Sequence, residues 1–359
     1  MKSCIVATIA ATLVLVAGSG RLAIAGDKPV SVSALKSYTN CDDNGKPKNP
    51  KLKIAFAQTD LHTPWRVAEL KHFQLWAKKL CVPDFIFNEA GEDVSKQLSN
   101  VSDLLAQKPD VLLLDPIADQ PLVPAIDMAK KAGVPMIDID RKLSVGPGPN
   151  TYLSVISADN YTVGLSAAKA WIEKLKKTQK TDSPKANLVI IMGGVGQDPA
   201  NERDRGVQDA IKPYPNIKIL DIQSGNWTRE GGRKVMQAYL QRFAPGELQG
   251  VYAASDESMI GARQAIEAAN RKDLNGAFFS SDGQLQGLEA VVDGFDVASS
   301  QFPPLYGEAS LQAAIAVTQG VTLARTYWLD LKTFTCLTEA ACNETKEYIA
   351  QLKATGMRF

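Results

Sequence analysis

"DVLLLDPIADQPLVPAIDMAKKAGVPMIDIDR", residues 110 to 141, decides the fold of this chain. Behind Pro109, residues 111 to 114 are apolar at every position, as in a strand buried on both faces. Residues 121 to 132 then carry a helical pattern, and Gly133 follows where a helix would stop. A second apolar run, "VPMIDID", closes on Asp140 and Arg141. Strand, helix and strand in this order imply two parallel neighbours joined by a helix. The opposite charges at the end of the second strand suit a salt bridge, a catalytic acid or a ligand clamp. Alone they do not choose.

The same rhythm extends both ways. Upstream, "LKIAFA" (52–57) and "DFIFNE" (84–89) are short strands. Val67, Leu70, Phe73, Ala77 and Leu80 recur at helical spacing between them, and Val94, Leu98, Val101, Leu104 and Leu105 mark the next helix. "YLSVIS" (152–157) is a fifth strand. A helix near 160–177 and the polar linker "KKTQKTDSPK" lead to a second set of five: "NLVIIM" (187–192), "IKILDI" (217–222), "GVYAAS" (250–255), "GAFFSS" (276–281) and "DVASSQ" (296–301). Helices near 201–211, 229–243, 257–270 and 285–293 separate these strands, and a last helix occupies about 305–320. Two sets of five predict two similar α/β lobes with doubly wound parallel sheets. Ligands of such sheets bind outside the carboxyl ends of the strands.

Composition narrows the class. The chain is 45% hydrophobic and 22% charged, as in a globular protein, and a net charge of +1 gives no basic field for nucleic acid. Lys2, an apolar run from Ile5 to Ala17 and "AIA" (23–25) before Gly26 form the pattern of a secretory signal over 1–25. Residues 26–50 read as an irregular arm, and "CDDNG" (41–45) reads as a turn because the later ligands of a calcium loop are missing. Cys4 would leave with the signal. Cys41, Cys81, Cys336 and Cys342 remain, an even set that suits disulfides in an exported chain. Cys336 and Cys342 could close a small loop, and Cys41 could tie the arm to Cys81. A zinc site is the rival reading, but no CxxC and no nearby His support it.

The strand ends carry the chemistry. The first is followed by Thr59, Trp65 and Arg66, the third by Asp115, the fourth by Asp140 and Arg141. In the second set come Asn201 and Arg203, then Trp227, then Ser255 with Asp256, then Asp282, then Gln301. Singly, each has a plain reading: a core Trp, a solvated Arg, a helix cap at Asp115 or Asp256, a turn at Asp282-Gly283. Together they gather planar apolar groups and bidentate polar groups on one edge of both lobes. A free sugar asks for that mixture. Its hydroxyls donate and accept, its C–H faces lie on aromatic planes, and each buried polar group left unpaired costs roughly 1–3 kcal/mol.

Enzyme readings fare worse. "VIIMGGVGQD" with Asp221 partly matches a dinucleotide fingerprint, but Pro199 stands where the third glycine belongs. The chain has two histidines, His62 and His72, and no G-x-S-x-G elbow. A glycosidase-type carboxylate pair stays open, since many Asp residues fall at strand ends. No H-E-x-x-H, P-loop or Cys/His cluster is present, so neither a metal nor a cofactor is expected.

Over about 51–320 the chain resembles the periplasmic sugar-binding proteins of ABC transporters, the ribose/galactose class with the type I periplasmic binding fold shared by LacI-type repressor cores. The resemblance rests on ordered motifs: "PWR" (64–66), "DIDR" (138–141), "ISADN" (156–160), "NERDRGVQDAI" (201–211), "SGNWTREGGRKVM" (224–236), "YAASDESMIGA" (252–262), "SSDGQLQGLEAV" (280–291) and "SSQFPPLYG" (299–307). "PWRVAE" and "QSGNWTR" look most like galactofuranose-binding proteins. The resemblance implies that Asp140 and Arg141 bind sugar hydroxyls, with Trp227, Asp282, Gln301, Thr59, Trp65 and Arg66. It implies the same of Arg203, or of Asn201 in its place. Ser255 and Asp115 depart from residues common in the family, so the exact sugar does not carry over. It also implies three crossings between lobes, near 157–160, near 301–304 and after 320, acting as a hinge. The expected lobes are 51–158 with 303–325, and 159–302 with 326–359. The expected partners are a monosaccharide and a membrane permease, for a periplasmic monomer without catalysis. A repressor would need an N-terminal helix-turn-helix, where this chain has a signal-like segment. A signal-molecule or chemoreceptor ligand binder of the same fold, and a secreted carbohydrate-active enzyme, are the alternatives.

Overall fold

The structure, a computed structural model, describes residues 28–355; the signal-like segment lies outside them. Two sheets carry the fold. The first contains β1 (Val30–Ser31), β2 (Lys53–Gln58), β3 (Asp84–Glu89), β4 (Val111–Leu114), β5 (Met136–Ile139), β6 (Ser154–Ser157) and β12 (Thr326–Trp328), in the order β1-β12-β6-β5-β4-β2-β3. The second contains β7 (Ala186–Met192), β8 (Ile217–Ser224), β9 (Gly250–Ala253), β10 (Phe278–Asp282), β11 (Asp296–Gln301) and β13 (Thr333–Thr335), in the order β13-β11-β10-β9-β7-β8. Neighbours pair in parallel except β11 with β13. All ten strands expected from sequence are present.

The apolar runs work as two-faced strands. Ile54 and Phe56 of β2 join the core on one face of the first sheet, while Ala55 and Ala57 join the core on the other. Val111 and Leu113 divide from Leu112 and Leu114 in the same way. In the second sheet Val189 and Ile191 face one core, Leu188 and Ile190 the other. The helices that cover these faces are α1 (Pro64–Lys79), α2 (Val94–Ala106), α3 (Pro124–Ala132) and α9 (Gly307–Thr318) on the first sheet. On the second they are α4 (Asn160–Gln179), α5 (Asp198–Ile211), α6 (Arg229–Arg242), α7 (Asp256–Ala268), α8 (Leu285–Val292) and α10 (Glu339–Thr355). Gly133 ends α3 at φ 69°, a left-handed cap that needs no side chain.

The chain changes sheets three times: from β6 into α4, from β11 into α9, and from β12 to β13. Two expectations change here. Residues 326–359 do not all belong with the second sheet, because β12 pairs with β6 in the first, Tyr327 beside Ile156. The arm is not wholly irregular, because β1 extends that sheet beyond β12. Disulfides join Cys41 to Cys81 and Cys336 to Cys342. "CDDNG" is a turn: Asp42 Oδ1 accepts from the Asn44 and Lys46 amides. Among the described residues no helix is long and apolar enough to cross a membrane, and no cluster of metal-ligating side chains forms.

Candidate functional site

Parallel register places the carboxyl ends of β2, β4 and β5 on one edge, since Ala57 pairs with Leu114 and Leu114 with Asp138. That edge faces the matching edge of the second sheet across a cleft of ≈ 180 Å³. This is below the roughly 300–1,000 Å³ typical of pockets for drug-sized ligands, and it suits one small molecule. Both lobes line it: Asp60, His62, Thr63, Trp65, Arg66, Glu92, Asp140 and Arg141 from one, Pro199, Arg203, Asn226, Trp227, Thr228, Ser255, Glu257, Asp282 and Gln284 from the other, with Phe302 at a crossing.

On the first lobe Arg66 is the centre. Pro64 and the Thr63 cap start α1 so that Trp65 and Arg66 fall in its first turn. The Arg66 guanidinium lies 2.5 Å from Asp115 Oδ2, 2.8 Å from Asp140 Oδ2 and 3.0 Å from Glu69 Oε2. Burial pushes Asp115 well above the usual carboxylate range and Glu69 up to about 7, against the pull of Arg66. Burial works against the Arg66 charge, but Asp115, Asp140, Glu69 and Asp60 more than offset it and keep the guanidinium charged. Asp140 Oδ1 is buried and has no hydrogen-bond partner. Arg141 donates to the Ile117 carbonyl at 3.1 Å and lies 3.6 Å from Glu92.

On the second lobe Arg203 has the matching place. It donates to Asp282 Oδ1 at 2.8 Å, to Asn160 Oδ1 at 2.9 Å and to the Ala254 carbonyl at 2.5 Å. Its guanidinium stacks 4.3 Å from the Phe302 ring and 5.3 Å from Trp227. Burial lifts Asp282 to about 6 despite Arg203. The two tryptophans have their N–H groups engaged, Trp65 with the Phe302 carbonyl and Trp227 with Gln197 Oε1, and offer the cleft apolar surface. The "GGVG" turn explains itself here. A Cβ at Gly193 would stand 2.0 Å from Trp227 Cζ2, and one at Gly194 2.4 Å from the Gln197 amide. Those glycines make room for the Trp227–Gln197 pair.

Five cleft residues that are not glycine have positive φ: Glu92 (64°), Asp140 (60°), Asn226 (48°), Trp227 (63°) and Asp282 (115°). Such backbone is held only where the surroundings impose it, and it gathers at ligand clamps and active sites. Asp140 is fixed by its amide donating to Ile156 O and by Ser157 Oγ donating to its carbonyl.

Of the residues singled out in the sequence, the structure brings Trp65, Arg66, Asp140, Arg141, Arg203, Trp227, Ser255 and Asp282 to the cleft. Four are placed elsewhere. Thr59 donates to Asp60 Oδ2 at 2.9 Å, and its carbonyl accepts from the Ala90 and Glu92 amides. Asp115 sits behind Arg66, fully buried. Asn201 is exposed on α5, while Arg203 points inward. Gln301 donates to Tyr348 of α10 at 2.7 Å and accepts from the Lys332 amide at 3.2 Å. Asp256 carries a buried network instead of a plain cap: it accepts from Ser280, Ser299 and the Gln284 amide. Sequence reading missed Asp60, Glu92, Glu257 and Phe302. Asp60 and Phe302 stood next to residues already singled out, whereas nothing local marked Glu92.

The residues of the fold also match a known group. A model of the periplasmic binding protein domain matches residues 54–322. The chain belongs to that family. It is 30% identical over 255 residues to the galactofuranose-binding protein YtfQ of Escherichia coli (strain K12), covering 70% of this chain and 78% of that one. It is 29% identical over 280 residues to the ribose import binding protein RbsB of the same organism, covering 78% and 89%. Among solved structures, a galactofuranose binding protein superposes with TM-score 0.77 at 26% identity, covering 85% of this chain and 99% of the other. The periplasmic component of the arabinose ABC transporter from Shewanella sp. ANA-3, bound to L-arabinofuranose, gives 0.73 at 27%, covering 84% and 97%.

Proposed function

We propose that this protein captures a neutral monosaccharide, in a furanose or a pyranose form, and delivers it unchanged to a membrane permease. The observation that carries the reading is Asp140 Oδ1, buried without a partner in a cleft walled by Trp65 and Trp227 from opposite lobes. A sugar hydroxyl supplies the missing donor, and ring C–H groups suit the indole faces. Five carboxyl side chains against three arginines line the cleft, a surplus of acceptors that favours hydroxyl donors and disfavours sugar acids. The relatives named above carry sugars in their names, and they are binding proteins and not enzymes. On this reading the protein works in the periplasm as a monomer, its lobes closing about the crossings at 157–160, 301–307 and 328–333.

Calorimetry with D-galactose, D-ribose, L-arabinose, D-xylose and D-fructose tests it. Binding tighter than about millimolar by at least one, weakened at least roughly tenfold in Asp140→Asn, supports the reading. No binding by any of them, or turnover of a glycoside, rejects it.

A further inference from the structure

The two lobes touch across the cleft at a place that no ligand argument requires. Asp119 follows β4 on the first lobe, and its Oδ1 accepts from the Asp198 amide on the second at 2.8 Å. Lys142, also on the first lobe, lies 3.0 Å from Asp198 Oδ1. Asp198 is the first residue of α5, the helix that carries Arg203. The N-cap of that helix is Gln197, whose side chain makes no capping bond. It accepts from the Trp227 indole instead. Asp198 stands in the first turn, so its amide has no acceptor within the helix and is an open donor at the helix start. The carboxylate that satisfies it, and that complements the helix dipole, comes from the opposite lobe. Lys142 adjoins Arg141, and Asp198 adjoins Pro199, both at the cleft wall.

We propose that Asp119, Lys142 and Asp198 form an interlobe latch that positions the two halves of the site against each other. Opening the cleft uncaps α5 and separates the Lys142–Asp198 pair, so the helix bearing Arg203 keeps its first-turn partner only in the closed form. The proposal rests on the cleft being the binding site, but its readout needs no sugar identity.

Nitroxide labels at the exposed residues Asp103 and Lys218, one on each lobe, report the interlobe distance by pulsed electron paramagnetic resonance. The mature chain is measured alone and with D-galactose, D-ribose and L-arabinose in turn. In the condition where the short-distance population is largest, Asp119→Ala and Lys142→Met are expected to lower the short-to-long ratio roughly fivefold each. Lys142→Met and Asp198→Asn are expected to be non-additive, because they remove one shared contact. The reversed pair, Lys142→Asp with Asp198→Lys, should recover part of the loss, which a merely structural role would not. Variants that keep wild-type circular dichroism and wild-type distances overturn the latch, as does a wild type with no short population in any condition. A wild type that closes but responds to no sugar overturns the sugar reading and leaves the latch standing.

Discussion

Arg66 Nη2 lies 2.8 Å from Asp140 Oδ2, so the guanidinium that fixes this carboxylate leaves Oδ1 as its free acceptor. The backbone of Asp140 is left-handed, a conformation that Asn tolerates and Ala resists. Asp140→Asn therefore keeps the shape and removes the charge. Sugar affinity is expected to fall roughly 10- to 150-fold, the range for a charged hydrogen bond of about 1.5–3 kcal/mol. Calorimetry reads it; an unchanged Kd would mean that the ligand does not reach Asp140.

Arg66 and Asp115 should respond unequally. Removing Arg66 as Met leaves Asp115, Asp140 and Glu69 buried without their cation. Breaking such a set typically costs about 3–5 kcal/mol of stability. Asp115→Asn keeps an oxygen that can accept from Arg66 and removes a charge that burial opposes, so it should cost less than the loss of Arg66, under about 1 kcal/mol. Urea unfolding of both variants compares them, and equal losses would refute the asymmetry.

Gly193 should behave as a binding residue without touching ligand. In Gly193→Ala the new methyl meets the Trp227 indole, and the ring must leave its seat. The loss of affinity should approach that of Trp227→Ala while the melting temperature stays within a few degrees. Tryptophan fluorescence and a thermal melt on one sample decide; retained affinity would place Trp227 outside the contact.

Stability should rise as the pH falls from 8 to about 5. Burial lifts Glu69 and Asp296 to about 7, and Asp198 and Asp282 to about 6. For carboxyls raised on folding, the stabilising contribution is full below the unfolded value, about 4, and is lost as pH rises through 6 to 7. His72 has the opposite sign. Burial lowers it from 6.5 to about 4, so its contribution is full above 6.5 and lost as pH falls through 4. The four acids outweigh the one histidine above pH 5. Asp296→Asn should flatten the slope, and a melting temperature that climbs toward pH 8 would contradict the assignment.

The two disulfides should differ in value. Cys41 and Cys81 are 40 residues apart, Cys336 and Cys342 six. Loop-closure entropy assigns roughly 4 kcal/mol to the first and roughly 2 kcal/mol to the second. Denaturation of the two double-serine variants measures the difference, and a costlier loss at 336–342 would point to native contacts of α10 as the cause.

Much of this was legible in the sequence. The wholly apolar β4 and the apolar runs in β2 and β7 announced themselves, the rest of β2 to β11 followed from the strand–helix rhythm, and Gly133 announced the end of α3. β1, β12 and β13 did not, because each has two or three residues and exists only through a distant partner. The site was legible where a side chain's type matched its place at a strand end, as for Asp140 and Arg203. It failed where a neighbour took the side chain. Tyr348 takes Gln301, Asp60 takes Thr59, and Arg66 hides Asp115. Asp138 has a local task instead: its carboxylate accepts from the Leu143 amide and shapes the turn after Asp140. Left-handed backbone at Glu92, Asp140 and Trp227 leaves no mark in residue type.

β12 has a bearing on how the molecule comes into being. Val30 finds its partner in Tyr327, and β6 is flanked by a strand that follows all of β7 to β11 in the chain. Neither lobe is a continuous piece of chain, so the first sheet stays incomplete until β12 is available. Pairings this distant close slowly, because the loop entropy must be spent before the contacts form. The first sheet of a chain of this design therefore closes only after β12 has been made, and β12 acts as its timer.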